Sequence, residues 1–142
     1  MPRFVGNGLL ALSLLVFAAC GDSTGPGPRT VEEARAVWAS HHLTNYSYFG
    51  SQACFCGAPS GLVRVEVQDG KVASVTDWTT HAQIATTGWL TVDQLLDLAG
   101  TLQPSLVEFD RYLGFPRKIE RCCIADDSGS VYTVASVILL PT

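Results

Sequence analysis

Four cysteines could carry chemistry, and they occur as two close pairs. Cys54 and Cys56 are two residues apart, and Cys122 and Cys123 are adjacent. Paired thiols can form disulfides, exchange thiols in a redox reaction, or bind a soft metal such as Cu(I) or Zn²⁺. A redox site is more often Cys-x-x-Cys at a helix N-terminus, and the sequence lacks that motif. The spacing of known metal sites is also missing, so we expect no metal, with Cys54 and Cys56 as the alternative metal ligands.

Structural disulfides are the favoured use of these residues, because five cysteines in 142 residues are typical of an oxidising compartment. On a strand, Cys54 and Cys56 have Cα atoms about 7 Å apart, which is long for a disulfide unless the strand bends before Gly57. Cys122 and Cys123 face opposite sides of a strand, which favours pairing with other strands. Four cysteines allow three connectivities, and both a bridge within the first pair and a cross-strand bridge stay open.

Other patterns that carry chemistry are weak. The sequence has no Gly-x-Ser-x-Gly, no His-Glu-x-x-His and no glycine-rich phosphate loop. Glu108 and Asp110 share a predicted strand face, but two carboxylates on an edge strand are usually solvated. His41 and His42 point about 100° apart on a helix, so they cannot easily bind one metal ion. We therefore expect no catalytic residues, no enzyme activity and no cofactor.

The first 20 residues are typical of a targeting segment. Arg3 supplies a positive charge, and the apolar run of 11 residues over 9–19 is too short for a bilayer, which needs roughly 20. Phe17-Ala18-Ala19-Cys20 resembles the bacterial lipobox, with Phe17 where Leu is preferred. In that motif the cysteine is diacylated and becomes the new N-terminus. The other interpretations are an ordinary signal peptide cut after Ala19 and a core helix.

The lipobox resemblance implies three parts of the chain. Residues 1–19 are a signal peptide, residues 20–29 contain the lipidated Cys20 and a flexible Gly/Pro-rich linker, and residues 30–142 form one α+β domain. The membrane is then a partner through the lipid. Gly21, where Asp would favour retention at the inner membrane, implies the outer membrane of a Gram-negative host. In a Gram-positive host the anchor lies on the outer face of the plasma membrane.

Composition limits the class of protein. Hydrophobic residues make up 47% and charged residues 15%, as in folded globular chains. Lys and Arg number 9 against 13 Asp and Glu, giving a net charge of −4. No broad basic surface can form, so we expect no nucleic-acid partner.

Two helices and six strands are predicted for the domain. Capping boxes at Thr30–Glu33 and Thr91–Gln94 begin helices over about 31–42 and 92–99, with Gly100 as a left-handed C-cap. Asp69-Gly70 predicts a type I′ hairpin that pairs Val67 with Val72. The predicted strands are 45–55, 62–68, 71–78, 106–112, 117–125 and 131–140. The fold class is α+β, an antiparallel sheet of about six strands with two helices on one face, in the order α-β-β-β-α-β-β-β.

The predicted core follows from the apolar faces of these elements. Its expected members are Trp38, Val65, Leu95, Val137 and Ile138. The last strand is apolar on both faces, which predicts a central position in the sheet.

Several short motifs occur in an order that resembles a bacterial family of secreted and lipobox-bearing proteins of unknown function, over about residues 31–140. They are Trp38, Tyr46-Ser47-Tyr48, Cys54-Phe55-Cys56, Val63-Arg64-Val65-Glu66-Val67, Asp69-Gly70, Thr91-Val92-Asp93-Gln94-Leu95-Leu96, Val107-Glu108-Phe109-Asp110, Gly114-Phe115-Pro116 and Asp126-Asp127. Phe109 and Phe115 stand where Tyr is usual. The family pattern has the first cysteine pair without Cys122 and Cys123, which implies a bridge between Cys54 and Cys56. No activity is assigned to the family.

The hypothesis is therefore a non-enzymatic cell-envelope lipoprotein domain that binds a partner or ligand through its sheet or the 79–90 segment. Trp78 and Trp89 flank that segment and could line a groove, although core packing is the more common role. The alternative is an envelope metal-binding or thiol-redox protein that uses the Cys54/Cys56 and Cys122/Cys123 pairs. A small hydrolase is disfavoured by the missing nucleophile and base.

Overall fold

A computed structural model describes residues 26–54, 61–101, 104, 106–121 and 129–140. The expectations for residues 1–19, Cys20, Cys56, Cys122 and Cys123 lie outside this part of the chain. The described elements are α1 Val31–Ser40, β1 Tyr46–Cys54, β2 Val63–Gln68, β3 Lys71–Asp77, β4 Gln83–Ile84, α2 Val92–Thr101, β5 Leu106–Phe109, β6 Pro116–Arg121 and β7 Ser130–Leu139.

The strands form one antiparallel sheet in the order β4-β3-β2-β1-β7-β6-β5. The α+β class is confirmed, but the sheet has seven strands and not about six. The additional strand β4 has only two residues, Gln83 and Ile84, which pair with Thr76 and Val75. Two residues are too few to produce an alternating pattern, so the sequence gives no sign of it.

Helix α1 begins where the capping box predicts. The Glu33 amide donates to Thr30 Oγ1 at 3.1 Å, and the Thr30 amide donates weakly back to Glu33 Oε2 at 3.4 Å. Ala34 and Trp38 are buried against the sheet. The helix ends at Ser40, two residues earlier than predicted, because His42 takes a left-handed φ of 51° that a helix cannot contain.

Helix α2 also has its predicted capping box, with the Gln94 amide 3.2 Å from Thr91 Oγ1 and the Thr91 amide 2.9 Å from Gln94 Oε1. The C-cap prediction for Gly100 is wrong, because the helix continues through this residue to Thr101. The Thr101 hydroxyl donates to the Asp97 carbonyl at 3.0 Å. That bond satisfies one of the carbonyls at the helix end, so a left-handed glycine is not required there.

The hairpin between β2 and β3 is type I′, as predicted. Asp69 and Gly70 have φ angles of 50° and 69°, and Val67 pairs with Val72. The turn is also held from outside, since the Asp69 amide donates to Asn45 Oδ1 at 2.9 Å. The left-handed conformation at both turn positions matches the twist of the two strands.

Strand β7 is central, between β1 and β6, as predicted. The core prediction is confirmed for Trp38, Val65 and Leu95, which are buried. Val137 is half-buried. The prediction is wrong for Ile138, whose side chain is 44% exposed. Phe49 pairs with Ser136 and Gly50 with Val134, so Ala135 is the extra residue of a β-bulge. The bulge puts Val134 and Val137 on the helix side and turns Ile138 to the other side.

Both helices pack on one face of the sheet, where Tyr46, Tyr48 and Val65 are buried. Within the described residues no helix covers the other face, which we call the open face. The open face carries Ser47, Phe49, Arg64, Glu66 and Ile138, together with Ser74, Thr76, Lys118, Glu120, Thr133 and Ser136. Apart from Ser47, which is fully buried, these are the described side chains on this face that are left for contacts with another molecule.

Candidate functional site

A half-exposed aromatic cluster lies at one corner of the open face. Trp78 directly follows β3, and its ring meets Phe49 edge to face, with centroids 4.7 Å apart and an interplanar angle of 83°. The His81 ring lies 6.0 Å from Trp78, and the Trp78 amide donates to the Leu62 carbonyl at 3.0 Å. Trp78 remains 49% exposed and Leu62 40%. We call Phe49, Leu62, Trp78 and His81 the aromatic corner.

The turn that follows β3 is held by one carboxylate next to Trp78. Asp77 Oδ1 accepts from the Thr80 amide at 2.7 Å, the Thr79 amide at 2.9 Å and the Thr80 hydroxyl at 3.0 Å. These bonds, first of all that from the Thr80 amide, hold the pKa of Asp77 below its usual value. The His81 amide closes the turn on the Asp77 carbonyl at 2.9 Å. These hydrogen bonds fix the turn that positions Trp78 and His81 in the aromatic corner.

A polar row crosses the open face beside the aromatic corner. Arg64 Nη2 lies 3.3 Å from Glu66 Oε1, and the Ser74 hydroxyl donates to Glu66 Oε2 at 3.0 Å. Ser47 Oγ and Arg64 Nε are buried, and neither has a hydrogen-bond partner among the described residues. An unpaired buried polar group costs about 1–3 kcal/mol.

A second ion pair lies on the same face toward β5. Lys118 Nζ is 2.7 Å from Glu120 Oε2, and this hydrogen bond raises the pKa of Lys118. The open face therefore alternates in charge and is close to neutral, with apolar groups at the aromatic corner and at Ile138. Such a mixed surface suits a partner with both apolar and polar groups.

Of the four cysteines, Cys54 alone lies in the described part of the chain, at the end of β1. Its backbone pairs with Ser130 of β7, and Ser130 pairs on its other side with Arg121 of β6. Cys56, Cys122 and Cys123 lie outside the described residues, so both connectivities stay predictions.

The other candidates from the sequence do not form a site. His41 Nε2 lies 3.2 Å from the Tyr112 carbonyl oxygen, and Asp110 Oδ1 accepts from the amides of Tyr112 and Leu113 at 2.9 and 2.7 Å. Glu108 lies opposite Lys118 on the open face, whereas Asp110 lies after the end of β5. No group of three His, Cys, Asp or Glu residues in the described part of the chain is arranged to hold a metal ion.

Trp78 and Trp89 do not line a common groove. Trp89 is buried on the helix side, where it borders a void of about 10 Å³ together with Tyr48, Gln52 and Leu95. Core packing is thus confirmed for Trp89 and wrong for Trp78. The sequence contains a signal for the exposure of Trp78. Because Asp77 of β3 faces the helices, alternation along the strand directs the next residue, Trp78, to the open face.

The Tyr-x-Tyr motif fixes the position of α2 and is not a reactive site. Tyr46 Oη accepts from the Val92 amide at 2.9 Å, and Tyr48 Oη donates to the Leu90 carbonyl at 2.6 Å. Burial raises the pKa of both phenols, so both are neutral at ordinary pH. The two hydroxyls satisfy backbone groups at the start of the helix that would otherwise be unpaired.

Two helices on one face of a seven-stranded antiparallel sheet define a two-layer α+β domain. Neither described helix, at 10 residues each, has the length and apolar character needed to cross a membrane. The chain belongs to a family of unknown function (DUF6174), whose sequence model matches residues 30–138. The match begins at the N-cap of α1 and ends within β7. Comparisons with curated proteins and with solved structures gave no match.

Proposed function

We propose that this protein is a non-enzymatic lipoprotein of the cell envelope that binds a partner through the open face of its sheet. The observation that carries the binding role is the aromatic corner, in which Trp78 is half-exposed although a fixed turn holds it against Phe49. A large aromatic side chain held in place at the surface gives a partner contact area at little entropic cost.

The anchor is supported by Phe17-Ala18-Ala19-Cys20 and by the Gly/Pro-rich residues that follow. Its test is the Cys20→Ser variant in cells that are supplied with labelled palmitate. We expect the natural chain to be labelled and to stay in the membrane fraction after a salt wash. The variant should be unlabelled and soluble. A Cys20→Ser chain that remains in the washed membrane contradicts the anchor.

The binding role is tested by photo-crosslinking in living cells. A photoreactive residue replaces Ser136, which is exposed on the open face, and in a control strain it replaces Asp93, which is exposed on α2. We expect discrete crosslinked products from position 136, their loss when Trp78→Ala is added, and no corresponding products from position 93. Equal crosslinking from both positions, or none from position 136, contradicts binding through the open face.

The second candidate is a metal-binding or thiol-redox protein that uses the Cys54/Cys56 and Cys122/Cys123 pairs, whose thiols are ligand types for soft metals. We nevertheless propose structural disulfides for Cys54, Cys56, Cys122 and Cys123. Non-reducing peptide mapping of the purified protein identifies the pairs. If the mapping instead finds free thiols that a stoichiometric metal ion protects, metal binding replaces structural disulfides as the favoured role of these cysteines.

A further inference from the structure

A strip of the open face runs from the aromatic corner along β2 and β3. On β3 it contains Trp78, Thr76 and Ser74, and on β2 it contains Leu62, Arg64 and Glu66. The pairing of β3 is regular from Ser74 onward, so its members are two residues, about 7 Å, apart and the strip is about 14 Å long. We call these residues the β2–β3 strip. Its length fits a chain of linked rings better than a single small ring.

Trp78 is the aromatic end of the β2–β3 strip. Its side chain is 49% exposed, and the edge-to-face contact with Phe49 and the turn at Asp77 hold it in place. The face of an aromatic ring has partial negative charge and attracts groups with partial positive charge. A pyranose sugar ring has a side formed by axial C–H groups, which are of this kind. The exposed indole is therefore a surface on which a sugar ring can stack.

The polar end of the β2–β3 strip offers hydrogen-bond donors and acceptors side by side. Glu66 accepts from Arg64 at 3.3 Å and from the Ser74 hydroxyl at 3.0 Å. These bonds use part of the capacity of the pair, because a carboxylate accepts about four hydrogen bonds and a guanidinium donates about five. The side chains of Arg64 and Glu66 remain 37% and 33% exposed. Neighbouring sugar hydroxyls, which both donate and accept, match this pair.

The charges of the β2–β3 strip select against ionic ligands. Arg64 and Glu66 lie in contact and cancel, so an anion would meet Glu66 and a cation would meet Arg64 at the same place. A neutral ligand with many hydroxyls bonds to both. An extended peptide has no free sheet edge to join here, because the backbone of β2 is paired with β1 on one side and β3 on the other.

We propose that the β2–β3 strip binds a neutral, β-1,4-linked glycan chain. One sugar ring stacks on Trp78, and hydroxyls of the following rings bond to Arg64 and Glu66. This inference rests on the proposed binding role of the open face. A β-1,4 linkage keeps a glycan chain extended, as a straight strip requires, whereas an α-1,4 linkage makes the chain curve.

The test is calorimetric titration of the full chain, purified in a detergent whose headgroup is not a sugar. The probes are oligosaccharides of β-1,4-linked N-acetylglucosamine and of β-1,4-linked glucose, and the comparison is an α-1,4-linked glucose oligosaccharide of equal length. We expect at least one β-linked probe to bind several-fold more tightly than the α-linked chain. The proposal is overturned if neither β-linked probe binds, or if the α-linked chain binds as tightly.

Variants of the strip and of distant positions test where the probe binds. Trp78→Ala should weaken binding about tenfold or more, and Trp78→Phe, which keeps an aromatic ring, should weaken it less. Tyr112→Ala removes an exposed aromatic ring from the turn after β5 and should leave the affinity unchanged. Glu66→Gln should weaken binding about tenfold, because a bond to a charged acceptor is lost, whereas Glu32→Gln on α1 should not. Equal effects of the strip variants and their controls contradict the proposal.

Crosslinking from position 136 separates this inference from the proposed function on which it rests. A crosslinked product that glycan-cleaving enzymes remove supports the glycan. A protein product, together with no binding of either β-linked probe, overturns the glycan and keeps the open face as a binding surface. No product from position 136, together with no binding of the probes, overturns both.

Discussion

The two buried tyrosines predict how stability depends on alkaline pH. Burial raises the pKa of Tyr46 and Tyr48 in the folded state, while an unfolded tyrosine ionises near about 10. Below that pH the phenols are neutral in both states, and their contribution to stability is intact. Above it the unfolded chain loses two protons that the folded chain keeps, so the free energy of unfolding falls as pH rises.

The size of the effect follows from the number of protons. Each tyrosine that ionises only in the unfolded state lowers the free energy of unfolding by about 1.4 kcal/mol between pH 9 and pH 11. Tyr46 and Tyr48 together give about 2.7 kcal/mol over that interval. Lys118, whose pKa is also raised, adds a loss in the same direction as pH rises through its folded value. That loss is common to all tyrosine variants and cancels in comparisons between them.

The assay is urea unfolding at fixed ionic strength at pH 9 and pH 11, with free thiols blocked against exchange. Tyr48→Phe should lose stability at pH 9, because the Leu90 carbonyl no longer receives its 2.6 Å bond, by about 1 kcal/mol. Its further loss between pH 9 and pH 11 should be only about half that of the natural protein. Tyr112→Phe, which removes the hydroxyl of an exposed tyrosine, is the matched control for the substitution itself.

One outcome would refute the reasoning. If the natural protein and Tyr48→Phe lose the same free energy of unfolding between pH 9 and pH 11, then Tyr48 is not held in its neutral form by burial. The hydroxyl would then be ionising in the folded state, and the account of how the Tyr-x-Tyr motif positions α2 would fail for this residue.

Three further variants test the packing. Leu95→Ala should lower the free energy of unfolding by about 2–5 kcal/mol, and half-buried Leu98→Ala by less; equal losses would mean that α2 does not pack through Leu95. Gly114→Ala should cost more than Gly70→Ala, although both glycines have positive φ, because only at Gly114 would the new Cβ meet the Ala34 carbonyl oxygen; melting temperatures in the reverse order would contradict this. Asp77→Ala should reduce the loss of melting temperature on acidification below about pH 4, because the lowered pKa of Asp77 gives stability that is present above that pH and lost below it.

Features that depend on a few neighbouring residues could be predicted from the sequence. The capping boxes at Thr30 and Thr91 and the turn at Asp69-Gly70 are such features, because their hydrogen bonds and φ angles are set within four residues. The end of α2 could not be predicted in this way. A glycine often ends a helix in the left-handed conformation, but here the helix continues through Gly100 and the Thr101 hydroxyl donates to the Asp97 carbonyl.

Features that depend on distant strands could not be predicted. The bulge at Ala135 exists only in the pairing of β7 with β1, so the sequence of β7 alone does not reveal that Ile138 turns away from the helices. The aromatic corner depends in the same way on distant strands, because Phe49 of β1 and Trp78, which directly follows β3, meet across β2. In a strand without a bulge, alternation does predict which face each residue takes, but not whether anything covers that face.

The position of β7 in the sheet determines when the fold can be completed. The strand is inserted between β1 and β6, so without it the sheet separates into β4-β3-β2-β1 and the β6-β5 hairpin. A chain that emerges from the ribosome with its N-terminus first cannot join these two parts until β7 has emerged. Pairing of β1 with β7 joins residues that are 76 to 93 positions apart in the sequence, and such long-range pairing is slow. Until then Tyr46 and Tyr48 have only one of their two neighbouring strands, so the core around them is incomplete.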